Sequence, residues 1–543
     1  MNLRIATAIL LALLLQPAVL RASGQLEIRV IDRDTGQLLA VRMHLKNAKG
    51  MPVKPPGVPA LGDHFVFDGK ILLRLPNGGY EFLIERGPEY LERTGHFQIE
   101  NFADDSKTID LKRFVDMAKE GWYNGDLDVD RPQKDLELLM RADDVHVVPL
   151  ITWSNKKNPW VKQPLPKTAM TQFNGTFFYS LLGGELIAPG NTLRLFKLDK
   201  PLDFADAAES KTAENALGSL PWLPVAEKAR REQNAWVDAG AFFARDLPIW
   251  IAAGQIDSIQ LANRHLEREG VLDNEAGGWP RDVTSYPKPQ GNGRWSQEIY
   301  YHLLNCGLKI PPTAGSGSGI NNNPVGYNRV YVNVGVRDDN QSGADKTANG
   351  EQSNGDPIAS DSIIWDRWWG SLKRGRVTIT NGPLIRPDVE GQLPGYVFKA
   401  DDGRSLELPI ALTLSTREKI RYLEVIKNGR SEIEANLDDF QASGGKLPNI
   451  KFDASGWFLV RAITDNSKTY RYATTAPYYV EVGYHPRVSR SSVQFFLDWA
   501  DKRAAEIADA AKSDDSDAAK SALQYAQRAQ AYWKNLLDHA TAQ

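Results

Sequence analysis

The sequence predicts a multidomain α/β-plus-β protein: an N-terminal β-sandwich, a β/α region, a second β domain and a helical tail. Three observations predict it. At 543 residues the chain is too long for one ordinary domain. Alternating apolar and polar runs bounded by turn residues fill 25–113 and 359–485, the pattern of half-buried strands. Over 114–336, strand-like runs instead alternate with helical ones, which implies parallel βαβ units.

The elements follow in order. Residues 1–24 read as a cleavable leader. Arg4 supplies the positive end, Ile5 to Leu20 is mostly apolar, and Ala22-Ser23-Gly24 offers small residues for cleavage before Gln25. This predicts export to a periplasmic or extracellular place. No later apolar run reaches the ~18 residues of a membrane span. In 25–113, Leu26 to Asp32 alternates and ends in an Asp34-Thr35-Gly36 turn. Leu73 to Phe82 repeats strand, turn and strand. In 114–336, Leu136 to Ala142 is helical, and Val145 to Ile151 and Ile256 to Ala262 are buried strands. Residues 337–358 are polar and rich in Gly, Asn and Asp, so they read as a flexible insertion. In 359–485, Trp365 to Lys373 is a short helix, and Leu406 to Leu412 and Tyr422 to Ile426 are strands. The tail, 486–543, reads as a helical hairpin broken near Ser513-Asp514-Asp515-Ser516, where Asp and Ser are natural caps. Phe495, Phe496 and Trp499 give its first helix an apolar stripe that favours docking.

Composition narrows the function. The net charge of −3 carries no nucleic-acid footprint, and no basic run is interleaved with aromatics. Cys306 is the only cysteine, so no intramolecular disulfide forms; its apolar setting predicts a core thiol. There is no phosphate loop, no His-Glu-x-x-His and no nucleophile elbow.

The most informative segment is Gly125-Asp126-Leu127-Asp128-Val129-Asp130, after Trp122-Tyr123. Read as a strand, it points Leu127 and Val129 to one face and the three aspartates to the other. Carboxylates at i and i+2 stand about 6.5–7 Å apart. Three on a buried face repel unless a cation or arginine neutralises them. The segment is thus an ion cradle or a solvated strand end.

This segment resembles the first barrel strand of the PHP (polymerase and histidinol phosphatase) superfamily, in its carbaryl-hydrolase-like CehA/McbA branch. Leu303 to Gly307, Pro311 to Ser316, Pro324 to Tyr331 and Thr378 to Leu384 resemble later segments of the same branch. The resemblance spans about half the chain. It implies a distorted β/α barrel over 114–336, with functional groups at the C-terminal ends of the strands. It also implies metal ligands, and most are replaced here. Asp128 and Asp130 stand for a His-x-His pair, and Thr152-Trp153-Ser154 for Thr-Asp-His. Gly190-Asn191 stands for Gly-His, and Gly315-Ser316-Gly317-Ser318-Gly319 lacks the closing Asp and His. Glu185 fills the place of a bridging glutamate. An Asp128/Asp130/Glu185 set would be oxygen-only, suited to calcium, magnesium or manganese rather than zinc. The N-terminal domain similarly resembles the prealbumin-like domains of secreted proteins, through Leu75-Pro76-Asn77-Gly78-Gly79-Tyr80.

Other candidates are His265, just past a strand opening on the barrel mouth, with Asn263 before it. Arg294 and Trp295, in a polar loop running into a helix, offer a guanidinium fork and an aromatic face to an anionic or sugar-like ligand. Each also has a plain structural reading, as a strand-end hydrogen bond or a helix anchor. Two functions follow. In one, the barrel binds a small molecule or glycan without efficient hydrolysis. In the other, a rebuilt carboxylate-rich centre hydrolyses ester, amide or phosphoester bonds, with His265 assisting proton transfer.

Overall fold

The computed structural model describes residues 23–202, 217–335, 362–514 and 516–543. The expected insertion at 337–358 lies outside the described residues, and so does most of the expected leader. Ser23 and Gly24, placed in the leader above, begin the first strand, paired with Pro76 and Leu75. The chain is mixed α/β with several sheets and a helical C-terminal tail. It divides into two compact units: 1–85 with 92–112, and 86–91 with 113–543.

The described part of the first unit is two β-sheets. One has three strands, with Ser23–Asp32 between Lys70–Pro76 and Asp104–Leu111. The other has five, with Ala40–Asn47 between His64–Asp68 and Gly78–Glu85. The alternation in Lys70–Pro76 is realised fully: Ile71, Leu73 and Leu75 are buried and their neighbours exposed. The tight turn after Pro76 is tied by Tyr80, whose hydroxyl donates to the Pro76 carbonyl at 2.9 Å.

In the second unit, Trp122–Gly125, Val147–Ser154 and Phe177–Ala188 run parallel. Asn191–Phe196 is antiparallel to both its neighbours, Phe177–Ala188 and Trp236–Ala239. Trp236–Ala239, Ser258–Ala262 and Pro312–Ala314 then run parallel again. The two ends of this row meet. Leu127 N donates to Ala314 O at 3.1 Å, Gly317 N to Asp128 O at 2.9 Å and Asp130 N to Ser318 O at 2.9 Å. From Trp122–Gly125 the same sheet also continues antiparallel through Arg329–Asn333 and Val377–Thr380 to the later strands.

The helices cover this sheet with apolar stripes. The expected first helix is present as Gln133–Asp143, burying Leu136, Leu139 and Met140. The tail forms the expected hairpin, Arg490–Ala511 and Asp517–Asp538, and the Ser516 hydroxyl caps the second helix through Ala519 N. Phe496 and Trp499 are buried, and Trp499 and Trp533 donate to the carbonyls of Arg245 and Pro248. Cys306 is a buried thiol pushed well up by burial, as a core residue should be. Among the described residues no helix is long and apolar enough to cross a membrane.

Candidate functional site

The aspartates of Gly125–Asp130 do not form the single carboxylate cluster expected from alternation: Asp126 and Asp128 have different partners and Asp130 is exposed. The regular strand ends at Gly125, and the Asp126 carboxylate turns back to accept from Asp128 N at 3.0 Å. Such a side-chain-to-backbone bond breaks the period-two pattern. Asp126 also accepts from Ser316 N and Oγ and from Gly326 N. Burial nevertheless pushes its carboxyl up to about 7, against those hydrogen bonds. Asp130 is exposed. Burial, and then the nearby Glu185 charge, raise its carboxyl.

Asp128 is fully buried, and its two oxygens meet guanidinium groups. Arg264 forks onto it, Nη2 to Oδ1 at 2.9 Å and Nε to Oδ2 at 3.0 Å, and Arg194 Nη2 reaches Oδ2 at 2.7 Å. The same two arginines reach Glu185 Oε1, Arg264 at 2.6 Å and Arg194 at 3.3 Å. Sheet register builds the cluster. Arg194 stands directly opposite Glu185 on one neighbouring strand and opposite Asp238 on the other. Asp238 is held up at about 6 by burial, against the Arg194 charge and hydrogen bonds from Ser258, Thr313 and Gln260. Two guanidiniums thus balance Asp128 and Glu185 without a metal ion. Of the expected oxygen-only set, Asp128 and Glu185 come together and Asp130 stays at the rim.

The glycine loop explains this closeness. A Cβ on Gly315 would lie 2.3 Å from the Asp128 Cβ, and one on Gly319, at φ +101°, would lie 1.8 Å from Asp130 O. The positions where the family resemblance expects an aspartate and a histidine, Gly317 and Gly319, are pressed against neighbouring chain.

A cavity of about 160 Å³ opens beside the arginines, lined among others by Arg194, Gly240, Phe243, Arg264 and His265. Arg194 is 1% exposed, and among the described residues its Nε and Nη1 have no hydrogen-bond partner. Nη1 lies on the Gly240 side, 2.9 Å from where a Cβ would stand. His265 is buried with its ring edge-on to Phe243, and neither ring nitrogen has a partner of good geometry. Burial, and then Arg264, push it down to about 4, against Asp128 and a loose contact with Asn274, so the ring is neutral near pH 7.

The other candidates sit elsewhere. Asn263 is buried at the turn before His265, where its Oδ1 accepts from His265 N at 2.9 Å. Arg294 lies over the Tyr470 ring, and Trp295 donates to Trp279 O. None of these three lines the cavity. Sequence reasoning passed over Arg194 and Arg264. A usable signal was present: Arg194 interrupts the apolar run Leu193 to Phe196 of a buried strand, where a lone cation needs an acidic partner. It also passed over His44, Asp63 and His64 in the first unit, which offer ligand atoms close enough together to hold a metal ion.

No family model matches the chain, and no curated protein does. Among solved structures, the Bacillus anthracis TIE protein aligns at 20% identity over 20% of this chain and 19% of its own, with a TM-score of 0.14. A streptococcal ancillary pilin aligns at 20% identity over 20% of this chain and 36% of its own, also with a TM-score of 0.14. The chain therefore spans well under two thirds of either.

Proposed function

We propose that this chain is an exported PHP-like protein of the CehA/McbA type that binds a compact, acceptor-rich ligand in its barrel and does not hydrolyse efficiently. The leader-like segment at 1–24 supports export. The meeting of Leu127 to Asp130 with Ala314 to Ser318, which joins the two ends of the strand row, supports a barrel reading. The observation that carries the functional reading is the pairing of Asp128 and Glu185 with Arg194 and Arg264. Both Asp128 oxygens are engaged by cationic donors, and a divalent ion placed there would meet two positive charges at contact distance. Hydrolysis of the family type depends on a Lewis-acidic ion that lowers a bound water's pKa. In this reading the arginines have taken the ion's place.

The same arginines favour a ligand. Among the described residues two buried nitrogens of Arg194, Nε and Nη1, have no hydrogen-bond partner beside the cavity, and an unmade buried hydrogen bond costs about 1–3 kcal/mol. A carboxylate or sugar oxygen would satisfy them, while neutral His265 offers a donor and an acceptor. The cavity, about 160 Å³, suits a molecule no larger than a monosaccharide. Calorimetric titration with small carboxylates and monosaccharides tests this. Binding that weakens at least about tenfold in Arg194→Lys is expected, as loss of a bidentate donor set costs about 1.4 kcal/mol or more. Metal-dependent cleavage of an ester, carbamate or phosphoester that disappears in Glu185→Gln would overturn the reading.

A further inference from the structure

The first unit sets two histidines side by side through strand register. His44 lies in Ala40–Asn47, His64 opens His64–Asp68, and the two are direct partners in the antiparallel ladder. Just before His64 the chain reverses tightly, with Leu61 paired to His64 and Gly62 at φ +52°. That reversal sets Asp63 beside both rings. The ring centroids are 5.3 Å apart, and both histidines are buried. Asp63 Oδ2 lies 3.0 Å from His44 Nδ1, and Oδ1 lies 3.4 Å from His64 Nδ1. One ligand atom from each of the three lies within 4.8 Å of the others, close enough together for a single ion to draw them in.

His44 stands between two carboxylates. Its Nδ1 faces Asp63, and its Nε2 lies 3.3 Å from Glu85 Oε2 without a hydrogen bond of good geometry. An ion would take Nδ1, on the Asp63 side. The ring then keeps its proton on Nε2, aimed at Glu85, and outer-shell carboxylates orient ligand imidazoles in this way. Glu85 is itself held by Arg42 at 3.0 Å.

We propose that His44, Asp63 and His64 form a three-ligand site for a late first-row divalent cation, zinc foremost, with the fourth position open to water. Two imidazoles and one carboxylate suit zinc better than calcium or magnesium. The site is separate from the barrel cluster and does not depend on the reading of that cluster.

Cobalt(II), a coloured substitute for zinc, tests the proposal on the full chain after treatment with a chelator. One equivalent should give visible d–d absorption, and zinc should displace it. His64→Gln should abolish the band. Glu85→Gln, which replaces none of the three ligands but alters the group facing His44 Nε2, should weaken cobalt binding about 10–100-fold. Far-ultraviolet circular dichroism checks that each variant is folded. If His64→Gln does not fold, Asp63→Asn decides by the same band. Absence of the band, or a band unchanged in the folded variants, would overturn the proposal. In that case His44 serves only to link Asp63 and Glu85.

Discussion

Asp128 has its charge set by its neighbours. Burial pushes its carboxyl up, but Arg194 and then Arg264 outweigh burial and hold it below the usual carboxylate range. The sign follows from linkage. A folded value below the unfolded one, about 3.9, gives stabilisation that is complete above that value and is lost as pH falls through the lower folded value. Asp128→Ala leaves Arg194, 1% exposed, with less than its buried charge needs. A loss of about 3–5 kcal/mol in urea unfolding is expected. Asp130→Ala, at the exposed rim, should change stability by no more than about 0.5 kcal/mol. Equal costs at the two positions would remove the case for a neutralised cluster. The need for neutralisation was legible in the sequence, because buried carboxylates repel. The neutralisers were not, because Arg194 and Arg264 lie 66 and 136 residues from Asp128 and only the tertiary fold brings them near.

At the scale of elements, regular periodicity was read correctly and its interruptions were not. Lys70–Pro76 and the tail hairpin match expectation because one physical rule, a buried face at a fixed period, governs each along its length. Gly125–Asp130 departs because Asp126 finds backbone donors in its own segment and in the Ser316 and Gly326 loops, which alternation cannot foresee. The Gly315–Gly319 loop is the counterpart of that departure. Gly319→His would restore the residue type that the family resemblance places there. The Cβ contact with Asp130 O, at 1.8 Å, and the φ of +101° both forbid it. It is expected to cost at least about 1–3 kcal/mol, read from the same unfolding curves. A variant as stable as the parent would mean that the loop has room for an imidazole.

Over the whole molecule, the chain forms two compact units, 1–85 with 92–112 and 86–91 with 113–543. The continuous sheet through Arg329–Asn333 and Val377–Thr380 was not legible, since each strand there is paired by tertiary register and not by a local turn. One short stretch crosses the simple division. Residues 86–91 belong with 113–543, and Glu89 is their anchor. It pairs with Arg113 at 3.0 Å, and accepts from Met117 N at 3.0 Å and from the buried Tyr331 hydroxyl at 2.9 Å. A fragment starting at Arg113 should therefore be less stable than the same unit in the full chain, by at least about 1–3 kcal/mol for the stranded buried groups. Equal urea midpoints would show Glu89 to be dispensable. The consequence reaches beyond stability. Residues 1–112 look like a module that recombination could exchange, yet a swap at that seam would carry off the acid on which Arg113 and Tyr331 rely. Lineages that trade the front of this protein for another would have to keep the hexapeptide Arg86–Leu91, so its persistence amid a changed neighbourhood would mark where ancestral splices were tolerated.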